Sequence, residues 1–159
     1  MAGTQRELTL RFLAEPTDVN FGGKVHGGIV MKWIDQASYA CAAGWCGSYC
    51  VTVYVGGIRF FKPILIGSVV EVQSRVIYTG NTSMHIAVDV LASDPKNSDF
   101  QKTTHCIIIF VAMDDNGNKI SVPKWIPTSK EDKELEAYAK RLMELREGIA
   151  EEMRDKQKE

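Results

Sequence analysis

An α+β fold, with a long antiparallel sheet wrapped around one apolar helix, is predicted by three features of the chain. Residues 29–43 are rich in helix formers and apolar on nearly every side, the pattern of a buried helix. The strand-like segments between Val51 and Met113 are separated by turns with no helix between them, so they pair antiparallel. That sheet is the apolar surface available to bury the helix. After Pro127 the composition changes abruptly to a charged run with a helical apolar stripe, which adds an amphipathic helix at the C-terminal end.

The elements follow in order. Leu8-Thr9-Leu10-Arg11-Phe12-Leu13 alternates as an opening strand, and Glu15-Pro16-Thr17-Asp18 breaks it into a loop that runs through Asn20-Phe21-Gly22-Gly23-Lys24. His26-Gly27-Gly28 leads into the helix, and Gly44 and Gly47 are its stop signals. Residues 51–55 have the β-branched and aromatic content of a strand, and further strands are expected over 58–61, 68–79, 84–92 and 102–113. Lys62-Pro63, Gly80-Asn81, Ser93-Asp94-Pro95 and Asp115-Asn116-Gly117 are the turns between them. Ser129 is placed to cap the final helix, whose stripe is Leu135, Tyr138, Leu142, Leu145, Ile149 and Met153. This helix is expected to lie on its own domain with its charged face in solvent, the alternative being a partner-binding or oligomer-forming helix. The organisation expected is one domain over 1–127 and a helical extension over 128–159.

With 159 residues, 45% hydrophobic and 25% charged, the chain suits a single core. A net charge of -1 supplies no global basic field for nucleic acid or anionic lipid, so an anionic ligand has to be met by a few local cations. No apolar run reaches the roughly 20 residues needed to span a bilayer, and the first residues lack a signal-peptide core. A cytoplasmic protein that binds neither membrane nor nucleic acid is the expectation. Cys41, Cys46, Cys50 and Cys106 fit no disulfide framework and no paired C-x2-C zinc knuckle, so reduced thiols and no metal are expected.

Three features bear on chemistry. Asp35 is an acid inside an apolar helix, where an unpaired carboxylate costs several kcal/mol and so needs a partner or a task. It is the candidate general base, with a structural, hydrogen-bonded acid as the plain alternative. Lys24-Val25-His26-Gly27-Gly28 enters the same helix, and helix N-terminal N–H groups beside glycine form an oxyanion site or simply a tight turn. Asn20 offers an amide to orient a water or carbonyl, or else forms a loop turn. His85 and His105 alternate with apolar strand residues and are read as structural or surface groups. Serine-hydrolase elbows, phosphate loops and zinc-protease motifs are missing from the sequence.

Asn20, Gly23-Lys24-Val25-His26-Gly27-Gly28, Met31, Asp35 and Ala37 together resemble the motif region of the hotdog acyl-CoA thioesterases. The likeness is to the branch holding YciA-type bacterial enzymes and mammalian cytosolic acyl-CoA hydrolases. It continues through Val51-Thr52-Val53, Phe60-Phe61-Lys62-Pro63, Gly67-Ser68-Val69-Val70 and Tyr78-Thr79-Gly80-Asn81-Thr82-Ser83, and so covers about residues 8–125. The resemblance implies a hotdog fold paired into double-hotdog dimers, commonly three to a hexamer, hydrolysing acyl-CoA to fatty acid and coenzyme A. It implies Asp35 as general base or nucleophile, Asn20 as its partner at the thioester, the Gly27 and Gly28 N–H groups as carbonyl polarisers, and Thr52 as a hydroxyl supporting the acid. Coenzyme A contacts are carried to His26, Arg59, Lys62, Asn81, Thr82 and Ser83, with no cofactor beyond the coenzyme of the substrate. The same fold serves acyl-thioester dehydratases and hydratases, which pair a histidine with an acid, and non-catalytic acyl-CoA sensors. No histidine shares the helix of Asp35, and a sensor has no need of the acid.

Overall fold

The computed structural model describes residues 1–157; the last two residues of the expected 128–159 extension lie outside the described residues. The alternating opening segment forms β1 (Glu7–Leu13), and a 3-10 turn at Pro16–Asp18 precedes helix α1 (Gly27–Cys46). Strands β2 (Tyr49–Phe60), β3 (Val69–Thr79), β4 (Ser83–Ser93) and β5 (Gln101–Met113) follow, then helix α2 (Lys130–Gln157). The five strands form one sheet in the order β1-β3-β4-β5-β2, every neighbouring pair antiparallel. Helix α1 starts on His26, whose ring caps the first turn, and stops at Gly47, where a φ of 70° lets the N–H reach the Ala43 carbonyl at 2.8 Å.

The sheet curls around one side of α1. Val30, Ile34, Ala37, Cys41, Ala42 and Trp45 point into a core shared with Val72, Met84, Ile86, Ile108 and Phe110. The opposite side, with Lys32, Asp35, Gln36 and Tyr39, is exposed. The helix is therefore not buried all round, because five strands of a single chain cover only one of its sides. Ile34 is fully enclosed, so Ile34→Ala is expected to cost about 2–5 kcal/mol, read as a lowered denaturation midpoint at unchanged slope.

The two strands expected over 51–55 and 58–61 are one strand, β2. Its register against β5 slips between Thr52 and Tyr54 and again between Gly56 and Arg59. The second slip contains Gly57 at φ 64°, a conformation that glycine adopts without steric cost. Each bulge breaks the period-two alternation, so a continuous strand reads as two pieces.

Ser129 Oγ accepts the Asp132 N–H at 3.0 Å and caps α2. The first half of α2 lies on the outer face of the sheet, where Leu135, Tyr138, Ala139 and Leu142 meet Ile77, Ala87 and Ile107. A polar clamp holds this contact: the His105 ring bonds Asp89 at 2.8 Å through Nδ1 and the Tyr138 hydroxyl at 3.0 Å through Nε2. Burial pushes the Asp89 carboxyl up, but hydrogen bonds from His105 and Lys102 outweigh it and hold it below the usual carboxylate range. In the second half of the stripe Leu145, Ile149 and Met153 are exposed, so the expected docking of the whole helix on its own domain holds for its first half only.

His85, under α2, is lowered to about 4 by burial and, secondarily, by the charge of Arg146. The folded chain thus refuses a proton that the unfolded chain takes up near pH 6.5. Stability is expected to fall as the pH drops from about 6.5 toward 4, and His85→Leu is expected to flatten that part of a melting-temperature profile.

Candidate active site

The loop before α1 is built by Asn20. Its Oδ1 accepts the N–H groups of Gly22 at 2.8 Å and Lys24 at 3.1 Å, so the side chain acts as a turn former with its oxygen and leaves Nδ2 to donate elsewhere. The His26 N–H bonds the Asp18 carbonyl at 2.7 Å, tying the loop to the helix start. His26 Nδ1 accepts the Gly28 N–H at 3.2 Å. Of the two N–H donors expected at this turn, Gly28's is engaged by the cap. Gly27, the first residue of the helix, keeps a donor with no partner inside the helix.

Beside this loop lies a cleft of about 310 Å³ lined by Asn20, Gly27, Val30, Phe60, Phe61, Lys62 and Thr104 among others. Lys62 hydrogen-bonds the side-chain carbonyl of Gln101 and stands at the rim. The sequence gives no site role to the aromatic pair Phe60-Phe61, Thr104 or Gln101. They reach this site because β2 pairs with β5, and no local pattern announces a pairing between strands so far apart in the chain.

Asp35 is elsewhere. It faces the start of β2, where its Oδ1 accepts the Thr52 hydroxyl at 2.9 Å. It is exposed, not buried; β2 is the last strand of the sheet, and nothing in the single chain covers the acid from that side. Gly27 and Asp35 sit on one continuous helix, which separates them by roughly 12 Å at 1.5 Å per residue. One chain therefore carries the candidate residues in two separate groups: an amide and helix-terminal donor at one end, an acid and hydroxyl at the other.

The expected coenzyme A residues divide in the same way. Arg59 pairs with His105 in the β2–β5 ladder, whereas Ser83 pairs with Val111, an offset on the order of 20 Å along β5. Arg59 stacks over Phe61, with its guanidinium 5.2 Å from the ring centre, and belongs with Lys62 at the Asn20 end. The Asn81-Thr82-Ser83 turn lies at the other end and is occupied with the fold: Asn81 Oδ1 accepts the Ser121 hydroxyl at 3.3 Å, and the Thr82 carbonyl accepts the Ala112 N–H at 3.0 Å. The expected single groove is split within one chain.

All four cysteines are free. Burial pushes Cys41 and Cys106 up to about 12, which leaves them as inert protonated thiols at neutral pH. Among the described residues no cluster of three or more acidic, histidine or cysteine side chains is suited to a metal ion, and no helix is long and apolar enough to cross a membrane.

A long helix wrapped by a five-stranded antiparallel sheet in this order, with an acid on the helix and an N–H donor unpaired within the helix at its start, is the arrangement of the hotdog class. The comparisons agree. The model of the thioesterase superfamily matches residues 22–98. The acyl-CoA thioester hydrolase YciA of Salmonella typhimurium is 35% identical over 75% of this chain and 92% of its own. A hexameric acyl-CoA thioesterase solved in its apo form superposes at a TM-score of 0.88 with 27% identity, covering 94% of this chain and 96% of its own. The acyl-CoA hydrolase of Staphylococcus aureus, solved with butyryl coenzyme A, coenzyme A and coenzyme A disulfide, superposes at 0.88 with 25% identity, over 98% of this chain and 94% of its own. That hydrolase has also been solved with single alanine replacements of an asparagine, an aspartate and a threonine. The chain belongs to the acyl-CoA thioester hydrolases of the thioesterase superfamily.

Proposed function

We propose that this protein hydrolyses acyl-CoA to free fatty acid and coenzyme A at a site shared by two copies of the chain. The observation that carries the reading is the Asp35–Thr52 pair, held at 2.9 Å and set eight residues along the helix from Gly27. In this reading the thioester carbonyl rests on Asn20 Nδ2 and the Gly27 N–H of one copy. Asp35 of the other copy, fixed through Oδ1 by Thr52, uses its second oxygen to take a proton from water. The hydroxide attacks the carbonyl carbon, the C–S bond breaks, and the proton passes from Asp35 to the leaving thiolate.

The residue types replaced in the Staphylococcus aureus hydrolase stand in the same order and at the same separations along that chain as Asn20, Asp35 and Thr52 do here, which supports the assignment. The hexameric relative supports a homo-oligomer; a dimer is the least the site requires, and a trimer of dimers is the assembly we infer. The same two-fold pairing would bring Lys62, Arg59 and His26 of one copy toward the Asn81-Thr82-Ser83 turn of the other, rejoining the divided coenzyme groove. The reading calls on no cofactor and places the protein, with its reduced thiols, in the cytoplasm.

Release of free thiol from a panel of acyl-CoA esters tests the reaction. A dehydratase or hydratase would change the acyl chain and release no thiol, and a sensor would bind without turnover. Lys62→Ala is expected to raise KM for acyl-CoA several-fold with little change in kcat, and to matter less for a short acyl-pantetheine that lacks the nucleotide phosphates. Equal losses on both substrates would remove Lys62 from the phosphate site.

A further inference from the structure

Helix α2 leaves its own sheet before it ends. Its start is fixed near β1 and β3, where Asp132 pairs with Arg6 at 2.7 Å and Glu131 with Arg75 at 3.3 Å. Tyr138 then meets His105 on β5, and the Arg146 guanidinium lies 4.8 Å from the Tyr54 ring on β2. Strand β2 is the last in the sheet, yet the helix continues to Gln157, about 16 Å further at the helical rise. Over these last turns the apolar stripe persists, and the surface pocket beside Ile149, Ala150 and Met153 has Tyr54 as its one residue from the sheet. Leu145, Ile149 and Met153 are 64%, 54% and 60% exposed, although they continue the stripe that Leu135, Tyr138 and Leu142 bury.

The strand beneath the overhang is also unpartnered on its outer side. From Tyr49 to Ile58, β2 carries no charged residue, and Tyr49, Val53 and Val55 are exposed. A long, uncharged edge strand is a template for pairing with another strand, which soluble proteins normally block or use. A second copy pairing antiparallel at this edge satisfies the edge and lays a continuation of the outer sheet face under the overhanging helix. The same two-fold axis returns the partner's helix onto the groove of this chain that is lined by Tyr54, Gly56, Gly57, Ile109 and Leu145.

We infer that the distal half of α2, residues 145–157, is a reciprocal clamp that docks on the outer sheet face and distal α2 of a second copy. The inference rests on the two-copy active site proposed above: pairing at β2 lies beside Thr52 and Asp35, so the clamp on the outer face secures the seam at which the catalytic groups on the inner face meet. A small apolar ligand such as a fatty acid is a poorer occupant, because the groove that Leu145 and Ile149 line against the sheet holds only about 150 Å³, below the roughly 300 Å³ of an ordinary ligand pocket, and Met153 lies beyond it.

The test is a double substitution, Ile149→Asp with Met153→Asp, compared with wild type by sedimentation across a dilution series. Both side chains are exposed in the single chain, so circular dichroism should show an unchanged fold. The dimer dissociation constant is expected to rise by about tenfold or more. A second measurement places a benzoylphenylalanine photo-crosslinker at position 149 in a mixture of ordinary and nitrogen-15-labelled chains; mixed-isotope adducts on β2, β5 or α2 are expected. Unchanged dissociation, adducts confined to one chain, or a fatty acid found in the groove by native mass spectrometry would each overturn the clamp while leaving the shared active site standing. A wild-type monomer that hydrolyses acyl-CoA would overturn both.

Discussion

Asp35→Asn is expected to lower kcat by a factor of about one hundred or more, the range removed with a general base. The substitution keeps the shape of the side chain, and its oxygen still accepts the Thr52 hydroxyl that Asp35 accepts at 2.9 Å. Because Asp35 is exposed in the single chain, no buried charge is lost, and the melting temperature should stay close to that of wild type. KM should change little, since in the proposed mechanism the acid acts on water and not on the coenzyme. Thr52→Val leaves the acid in place but releases one of its oxygens, and its loss should be smaller. A folded Asp35→Asn protein with unchanged turnover would move the base to another residue.

Asn20→Ala and Asp35→Ala, each nearly inactive when prepared alone, are expected to recover activity when unfolded and refolded as an equal mixture. Asn20 stands before α1 beside Gly27, and Asp35 lies eight residues further along the helix from Gly27, a separation of roughly 12 Å. In the proposed arrangement a two-fold axis between antiparallel helices would bring the Asn20 end of one copy to Asp35 of the other. In a mixed dimer one site then carries both lesions and the other neither, so random pairing restores about a quarter of wild-type sites. Loss of the Asn20 side chain also frees the N–H groups of Gly22 and Lys24, and the melting temperature of that variant should be checked before mixing. Mixed dimers verified by mass spectrometry without recovery would place the site within one chain.

The gap between the two halves was legible in the sequence, because helical rise converts residue spacing directly into distance. So were the turn that Asn20 closes, the glycine entry to α1 and the Ser129 cap, each of which depends on side chains a few residues apart. The burial of Asp35 was misjudged from the same kind of local pattern. Apolar neighbours such as Trp33, Ile34 and Ala37 do not say which side of the helix a sheet will cover. That depends on strand order, and the order leaves β2 at the edge beside Asp35.

By itself the sequence determined the α+β class, the central helix and the antiparallel strands, and it supplied the candidates proposed for thioester chemistry, since propensity, periodicity and hydrogen-bonding capacity are properties of short segments. The tertiary structure decided which of those residues meet. It joined two strand segments into β2 across its bulges, set Thr52 against Asp35, gave Lys62 to Gln101 and divided the residues expected to contact coenzyme A between two ends of the sheet. It also left half of the α2 stripe without cover. Each of these follows from long-range pairing, whose register depends on the whole sheet and its bulges, and no local stretch of residues carries that information.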